Sequence, residues 1–347
     1  MKSTRIAACL FLLGCGSQDP FVTTDAGPGP SEAAAPDAGL PPQFGDASVD
    51  AAPPPPQCAT PPNVANPTDV VMNAAFTNDY TTYVLGLVPG IAPSKLGGCV
   101  IDANDPNALL VATDSEDSSG AIYSIPLQRE SCGHIVGFAG NAKLVATTPY
   151  VDANLLYGPN QVMFYSQWPV NELSELLPNQ SAPAYTIDLS TVGVGGGGPG
   201  GIGFVPPNLS DPGGLRGVTW PNGYWYHLSY STSGTTYAVT ASTQTATLPN
   251  GPGGFAYVPQ GSPDFANQSL ITPEWPGGQV AVYEVDSMGD PVVSTRRQFF
   301  DKFPVPWGAY FEPTTGDFIF LSWGSGNDQI YIVEGFTKPP PPPQQPN

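Results

Sequence analysis

A strand triplet that recurs five times at spacings near fifty residues, an unclaimed strand ahead of the first copy, and 40 Gly with 43 Pro in 347 residues predict an all-β fold. The specific expectation is a five-bladed β-propeller of four-stranded antiparallel blades, with six blades as the alternative. Gly and Pro at this density exclude a mainly helical chain and suit short strands joined by turns. The formal charge of −19, with only 10 Lys and Arg, repels polyphosphate and sets nucleic acid aside as a partner.

Residues 1–14 carry Lys2 and Arg5 and then the run Ile6-Ala7-Ala8-Cys9-Leu10-Phe11-Leu12-Leu13-Gly14. A basic start before an apolar core too short to span a bilayer reads as a signal peptide. The four residues Leu12-Leu13-Gly14-Cys15 resemble the lipobox of bacterial lipoproteins. That resemblance implies cleavage before Cys15 and acylation of its thiol and new amino group, making the lipid bilayer a partner. Gly16 follows where Asp would direct retention, so the same analogy implies the outer membrane of a Gram-negative bacterium, facing the periplasm or the cell surface. Residues 15–57 comprise the lipidated Cys and an Ala-, Pro- and Asp-rich stretch with six acidic side chains and no basic one. This stretch is expected to be an extended tether. At the other end, residues 337–347 form a Pro-rich tail with Pro339–Pro343 consecutive, expected as a polyproline-type extension.

The propeller is assigned to residues 58–336. Its first blade takes strands at Gly97–Asp102, Leu109–Asp114, Ala121–Leu127 and Ala142–Thr147. The second takes Ala153–Pro159, Met163–Trp168, Val170–Leu176 and Ala184–Leu189. The third takes Gly200–Pro206, Leu215–Trp220, Tyr224–Tyr230 and Thr235–Thr240. The fourth takes Gly253–Pro259, Leu270–Trp275, Gln279–Val285 and Ser294–Phe300. The fifth has only Trp307–Pro313, Phe318–Trp323 and Gln329–Glu334, and nothing suited to a strand follows Phe336. Laying Thr81–Leu87 on its open edge completes the set and closes the ring, which is how propellers remove exposed edges.

One run of motifs carries a resemblance. Gly253–Pro259, the turn Gly261-Ser262-Pro263-Asp264-Phe265, Val280–Pro291, and the continuation through Ser294–Phe299 to Thr315-Gly316-Asp317-Phe318 resemble a group of secreted bacterial propeller proteins. The likeness covers Asp152–Phe336 closely and the first unit loosely. That group is similar to NHL-like and gluconolactonase-like propellers, so the resemblance implies a fold and export; it implies no reaction.

In a propeller, inner strands start and second strands end on one face. The repeat alignment gathers Gly97, Gly98, Gly200, Gly201, Gly253, Gly254 and Gly308 there with Trp168, Trp220, Trp275 and Trp323, and Asp114 in the odd blade. Four of the six tryptophans thus share a column. Indole faces suit stacking on sugar rings, peptide aromatics and prolines; the same column would also arise from packing between blades. Asp102 and Glu312 share a column at the foot of the inner strand and are the carboxylates an acid–base pair would use, although turn capping also accounts for them. The loops 102–107 and 114–117 are oxygen-rich and chemically suited to Ca²⁺, but lack EF-hand spacing. Glu274 and Asp328 lie near the Trp-bearing face. His134 and His227 fall in different blades, away from any metal-ligand spacing, and Gly195–Gly201 precedes no helix, so it is no phosphate loop. Cys99 fits a small, buried, apolar position, leaving Cys58 and Cys132 to pair in an oxidising compartment, although the sequence alone allows any of three pairings.

These readings converge on a monomeric, lipid-anchored propeller of the cell envelope that binds a carbohydrate or peptide ligand at Trp168, Trp220, Trp275, Trp323 and Asp114, without catalysis or cofactor. The alternative is a propeller hydrolase or lactonase using carboxylates, with calcium as its ion.

Overall fold

Side chains alternate between the two faces of every strand, and in each repeat both sets are apolar. A sheet of that kind must be covered on both sides. The computed structural model, which describes Cys58 and residues 65–340, meets this need by arranging five antiparallel sheets in a ring. Cys15, the signal peptide, the tether and the tail beyond Pro340 lie outside the described residues.

The chain enters through β1 (Val71–Met72) and β2 (Thr81–Gly86). Blade 1 follows with β3 (Cys99–Asp102), β4 (Asp105–Thr113), β5 (Ala121–Arg129), β6 (Ile135–Phe138) and β7 (Lys143–Thr147). Blade 2 has β8 (Val151–Tyr157), β9 (Met163–Gln167), β10 (Glu172–Leu176) and β11 (Tyr185–Asp188). Blade 3 has β12 (Pro199–Phe204), β13 (Leu215–Thr219), β14 (Tyr224–Ser233) and β15 (Thr236–Thr247). Blade 4 has β16 (Ala256–Tyr257), β17 (Ser269–Glu274), β18 (Gln279–Glu284) and β19 (Arg297–Lys302). Blade 5 has β20 (Pro306–Phe311), β21 (Phe318–Ser322) and β22 (Ile330–Glu334). Its fourth strand is β2, antiparallel to β22 with Thr81 opposite Glu334 and Val84 opposite Tyr331. The ring is closed as the sequence predicts.

Three details were not in the sequence reading. β6 shares the outer edge of β5 with β7, pairing Leu127 with Phe138. β1 adds a fifth strand to blade 4 by pairing with β19. β16 is only two residues long, because the donors ahead of it leave the blade: Gly254 N–H reaches Trp307 O at 3.0 Å and Phe255 N–H reaches Asn154 Oδ1 at 3.1 Å.

Five apolar cores result, one at each junction between blades. Cys99 and Ile101 of β3 turn to blade 5 with Ile319 and Leu321. Val100, between them, turns to blade 2 with Leu155 and Met163. Phe164 and Ile202 join blades 2 and 3, Trp225 and Phe255 join blades 3 and 4, and Phe318 and Phe320 face Ile271 and Val280 of blade 4. The last core also takes Phe76 and Tyr80 from the segment between β1 and β2, and Phe336 beyond β22. The segment ahead of β1 is tied down as well: Cys58 is bonded to Cys132 in the β5–β6 turn, and Cys99 is a free, buried thiol.

The axis is filled by one side chain. Asn154 stands where the other inner strands carry Gly98, Gly201, Gly254 and Gly308, and it is 2% exposed. Its Oδ1 accepts the N–H groups of Ile202 and Phe255, each at 3.1 Å, and its Nδ2 donates to Ala309 O at 3.2 Å and Phe255 O at 3.4 Å. Blade 2 thereby holds blades 3, 4 and 5. The glycines around it are required by closeness: a Cβ on Gly98 would lie 2.6 Å from Asn154 backbone atoms, and one on Gly201 would lie 2.9 Å from its Oδ1. They are buried packing positions, not the lining of an open mouth.

Truncating Asn154→Ala would strand buried backbone donors and a carbonyl, each costing about 1–3 kcal/mol. Urea denaturation should therefore show a loss of roughly 3 kcal/mol or more; a loss below about 1 kcal/mol would mean the axis is held elsewhere.

Candidate functional site

Inner strands run from the tryptophan end of the ring to the opposite end, and the two ends are built differently. At the first, Trp168, Trp220, Trp275 and Trp323 follow β9, β13, β17 and β21 and are all half-buried. They pack edge to face in sequence, with ring centres 5.2 Å apart for Trp168–Trp220, 6.2 Å for Trp220–Trp275 and 5.6 Å for Trp275–Trp323. The structure thus brings the predicted column together, and adds Trp307 of β20, buried and against both Trp220 and Trp323. Trp275 donates its indole N–H to Trp323 O at 3.2 Å, whereas Trp220 and Trp323 have no acceptor among the described residues. Asp114 lies in the blade 1 loop at this end, half-buried at φ +47°. Nearby Lys95 sits 5.3 Å over the Trp323 ring and pairs with Asp117.

Beneath the indoles is a carboxyl pair that the sequence reading passed over. Asp152 is fully buried and accepts the Trp307 indole N–H at 2.7 Å. Burial, and then the neighbouring Glu116, hold its carboxyl well above the usual carboxylate range. Burial also pushes Glu116 up to about 8, against the opposing pull of Lys95. The sequence signal was an Asp where the other four repeats carry Leu96, Pro199, Pro252 and Pro306.

At the opposite end the inner strands splay around a cavity of about 850 Å³. All five contribute, through Ile101, Tyr157, Phe204, Tyr257 and Tyr310 among others. Of these tyrosines, Tyr257 donates its hydroxyl to Gly289 O at 2.7 Å. Pro206, Pro259, Pro313, Pro339 and Pro340 complete an apolar surface on which Asp102 and Lys338 are the charged members.

Asp102 accepts the Asn104 N–H at 2.9 Å in a local turn. Glu312 is wholly buried and accepts from Arg129 at 2.9 Å, from the N–H groups of Thr314 and Thr315 at 2.9 and 2.7 Å, and from the Thr315 hydroxyl at 2.8 Å. Burial raises its pKa, but these donors, led by Thr314, outweigh that and hold it below the usual range. It carries no proton to give, and its lone pairs are engaged. Glu312 is a brace between blades 5 and 1.

The other buried carboxylates near the predicted sites are also tied to specific donors. Glu274 is buried beneath Arg296, with Tyr283 and Asn250 each donating at 3.0 Å. Asp328 accepts the N–H groups of Gly324 and Ser325. His227, Arg216 and the Trp225 indole converge on Asp290, linking blades 3 and 4. His134 meets Asp317 across the blade 1–5 junction at 2.6 Å. Among the described residues, the group of His, Cys, Asp or Glu that converges closely enough for a metal is Cys58, Glu130 and Cys132, whose sulfurs are joined to each other. Neither acidic loop gathers three such groups.

No protein-family model and no curated protein matches the chain. Solved structures similar to it include a gluconolactonase from Xanthomonas campestris, at 11% identity over 80% of this chain and 99% of that one, with a TM-score of 0.43. An auxiliary nutrient binding protein from Bacteroides ovatus is 10% identical over 76% of this chain and 75% of that one, with a TM-score of 0.42. Neither activity nor ligand transfers at that distance, and the propeller assignment rests on the strand pairing above.

The His134–Asp317 contact raises the His134 pKa to about 9, with burial opposing. A raised histidine stabilises the fold fully below its unfolded value near 6.5 and loses that contribution as pH climbs through the folded value. Burial lifts Glu334 to about 7 and Glu175 to about 7, and these also favour the fold at lower pH. Thermal midpoints should therefore fall from pH 6 to pH 9, and His134→Gln should flatten the fall above pH 6.5; an unchanged slope would mean the pair does not titrate as stated.

Proposed function

We propose that this chain is a non-catalytic binding module of the cell envelope whose ligand is a peptide or carbohydrate, and that the cavity opposite the tryptophans favours a peptide rich in apolar or proline residues. The observation that carries this reading is the cavity itself: about 850 Å³ at the convergence of five inner strands, within the size range of ligand sites. Its aromatic walls suit apolar side chains and proline rings. A sugar needs many hydrogen-bond partners, whereas the cavity lining is mostly apolar and the Tyr257 hydroxyl is already given to Gly289 O.

A second reading is favoured by the half-exposed indoles. A carbohydrate ring would stack at Trp168, Trp220, Trp275 and Trp323, beside Asp114. The hydrolase or lactonase alternative would draw on the same end, where Glu116 keeps its proton at neutral pH and so has the state of a general acid. A lipid anchor on Cys15 would hold either module at the outer membrane.

Peptide and glycan arrays followed by calorimetry separate these readings. Ala103→Trp places a bulky group on an exposed cavity position and should weaken peptide binding at least tenfold, while Trp220→Ala with Trp275→Ala should leave it within about twofold. The reverse pattern would move the site to the tryptophan end. In cells, Cys15→Ala should shift the protein from the membrane fraction to the soluble fraction; retention at the membrane would remove the anchor from the reading.

A further inference from the structure

The cavity has one acid on its wall. Asp102 ends β3 where the chain turns back into β4, in register with Asp105, and it is half-buried. Its Oδ1 accepts the Asn104 N–H at 2.9 Å, and among the described residues no Lys, Arg or His pairs with the carboxylate. The carboxylates that brace the blades are treated otherwise: Glu312 has Arg129, Asp317 has His134, Asp290 has Arg216 and Glu274 has Arg296. Burial pushes the Tyr157 hydroxyl up to about 12 and the Asp102 charge adds to the rise, so the carboxylate lies within electrostatic reach of the aromatic wall.

A half-buried carboxylate on an apolar wall suits a purely apolar ligand poorly, because such a ligand strips its water and returns no partner. A cationic group replaces the lost hydration. Aromatic rings attract organic cations as well, and Tyr157 and Tyr310 line the same cavity. The net charge of −19 draws positive ligands toward the surface and repels negative ones. The wall also carries Lys338, but that residue is exposed, so solvent and salt screen its charge more than they screen Asp102. We propose that the cavity selects peptides bearing an ammonium or guanidinium group beside their apolar or proline residues, with Asp102 as the residue that recognises the charge. This rests on the cavity being the peptide site.

The test is calorimetric titration of short proline- and phenylalanine-rich peptides, blocked at both ends and identical except at one position, which holds lysine, norleucine or glutamate. A fourth peptide has norleucine there and a free amino terminus, so that side-chain and terminal amines are compared. Against the full chain, at least one amine-bearing peptide should bind about fivefold tighter than blocked norleucine, and glutamate should bind weakest. Asp102→Asn keeps an oxygen for the Asn104 N–H and should bring the amine-bearing peptides within about twofold of norleucine. Lys338→Glu leaves Asp102 untouched and should widen the preference, so the charge rule stays testable even where Asp102→Asn lowers the thermal midpoint. A full chain without the preference, a preference that survives Asp102→Asn, or one that Lys338→Glu narrows overturns the proposal. Ala103→Trp separates the two levels of failure. If norleucine peptides bind and this substitution weakens them, yet no amine is preferred, only the recognition of charge is lost; if no peptide binds, or the substitution leaves binding unchanged, the cavity fails as the peptide site too.

Discussion

Everything in this fold depends on whether five strands can meet at one axis without leaving backbone polar groups unpaired. The Asn154 carboxamide provides the answer. Five inner strands converge too tightly for Cβ atoms at Gly98 and Gly201, yet their N–H and C=O groups point inward and cannot all pair within their own blades. An amide supplies a donor and an acceptor from one small, uncharged group. Asn154 spends both on three other blades. An ionised side chain here would carry a desolvation cost, and an apolar one would leave the donors stranded.

The same hub divides the molecule into two ends. The tryptophans pack against one another in an edge-to-face chain, so the column is partly a seam between blades and partly surface. Beyond the hub, aromatic residues line an open volume, and the Tyr257 hydroxyl is given to the Gly289 backbone. A net charge of −19 could destabilise a ring of sheets, but many of the buried carboxylates sit against Arg or His at a junction between blades. Charge is thereby used to hold neighbouring blades together, and the cavity is left with few charged groups.

Blade number, strand order and the closing strand were legible because repetition makes each copy a check on the others. Thr81–Leu87 could be placed on blade 5 simply because that blade lacked a strand. The tryptophan column was legible for the same reason. The cavity was not: its wall is made by Tyr157, Phe204, Tyr257 and Tyr310, which occupy ordinary inner-strand positions, and sequence does not say how far strands splay. Glu312 and Asp102 looked like a pair by column, but local donors at Thr314, Thr315 and Asn104 decide their roles. β1 escaped notice since two residues carry no periodicity.

Departures from the repeat carried more information than the repeat. Where the other four inner strands carry leucine or proline and then glycine, blade 2 places Asp152 and Asn154, one under the indoles and one on the axis. Both are buried polar groups that a simple packing argument would exclude, so each must have a specific partner to be tolerated. Asn154 has a full set, which explains it as architecture. Asp152 has a bond to Trp307 on one oxygen and no partner among the described residues on the other. Burial raises its carboxyl pKa well above the usual carboxylate range, which favours the neutral acid over a buried charge beneath the tryptophan end.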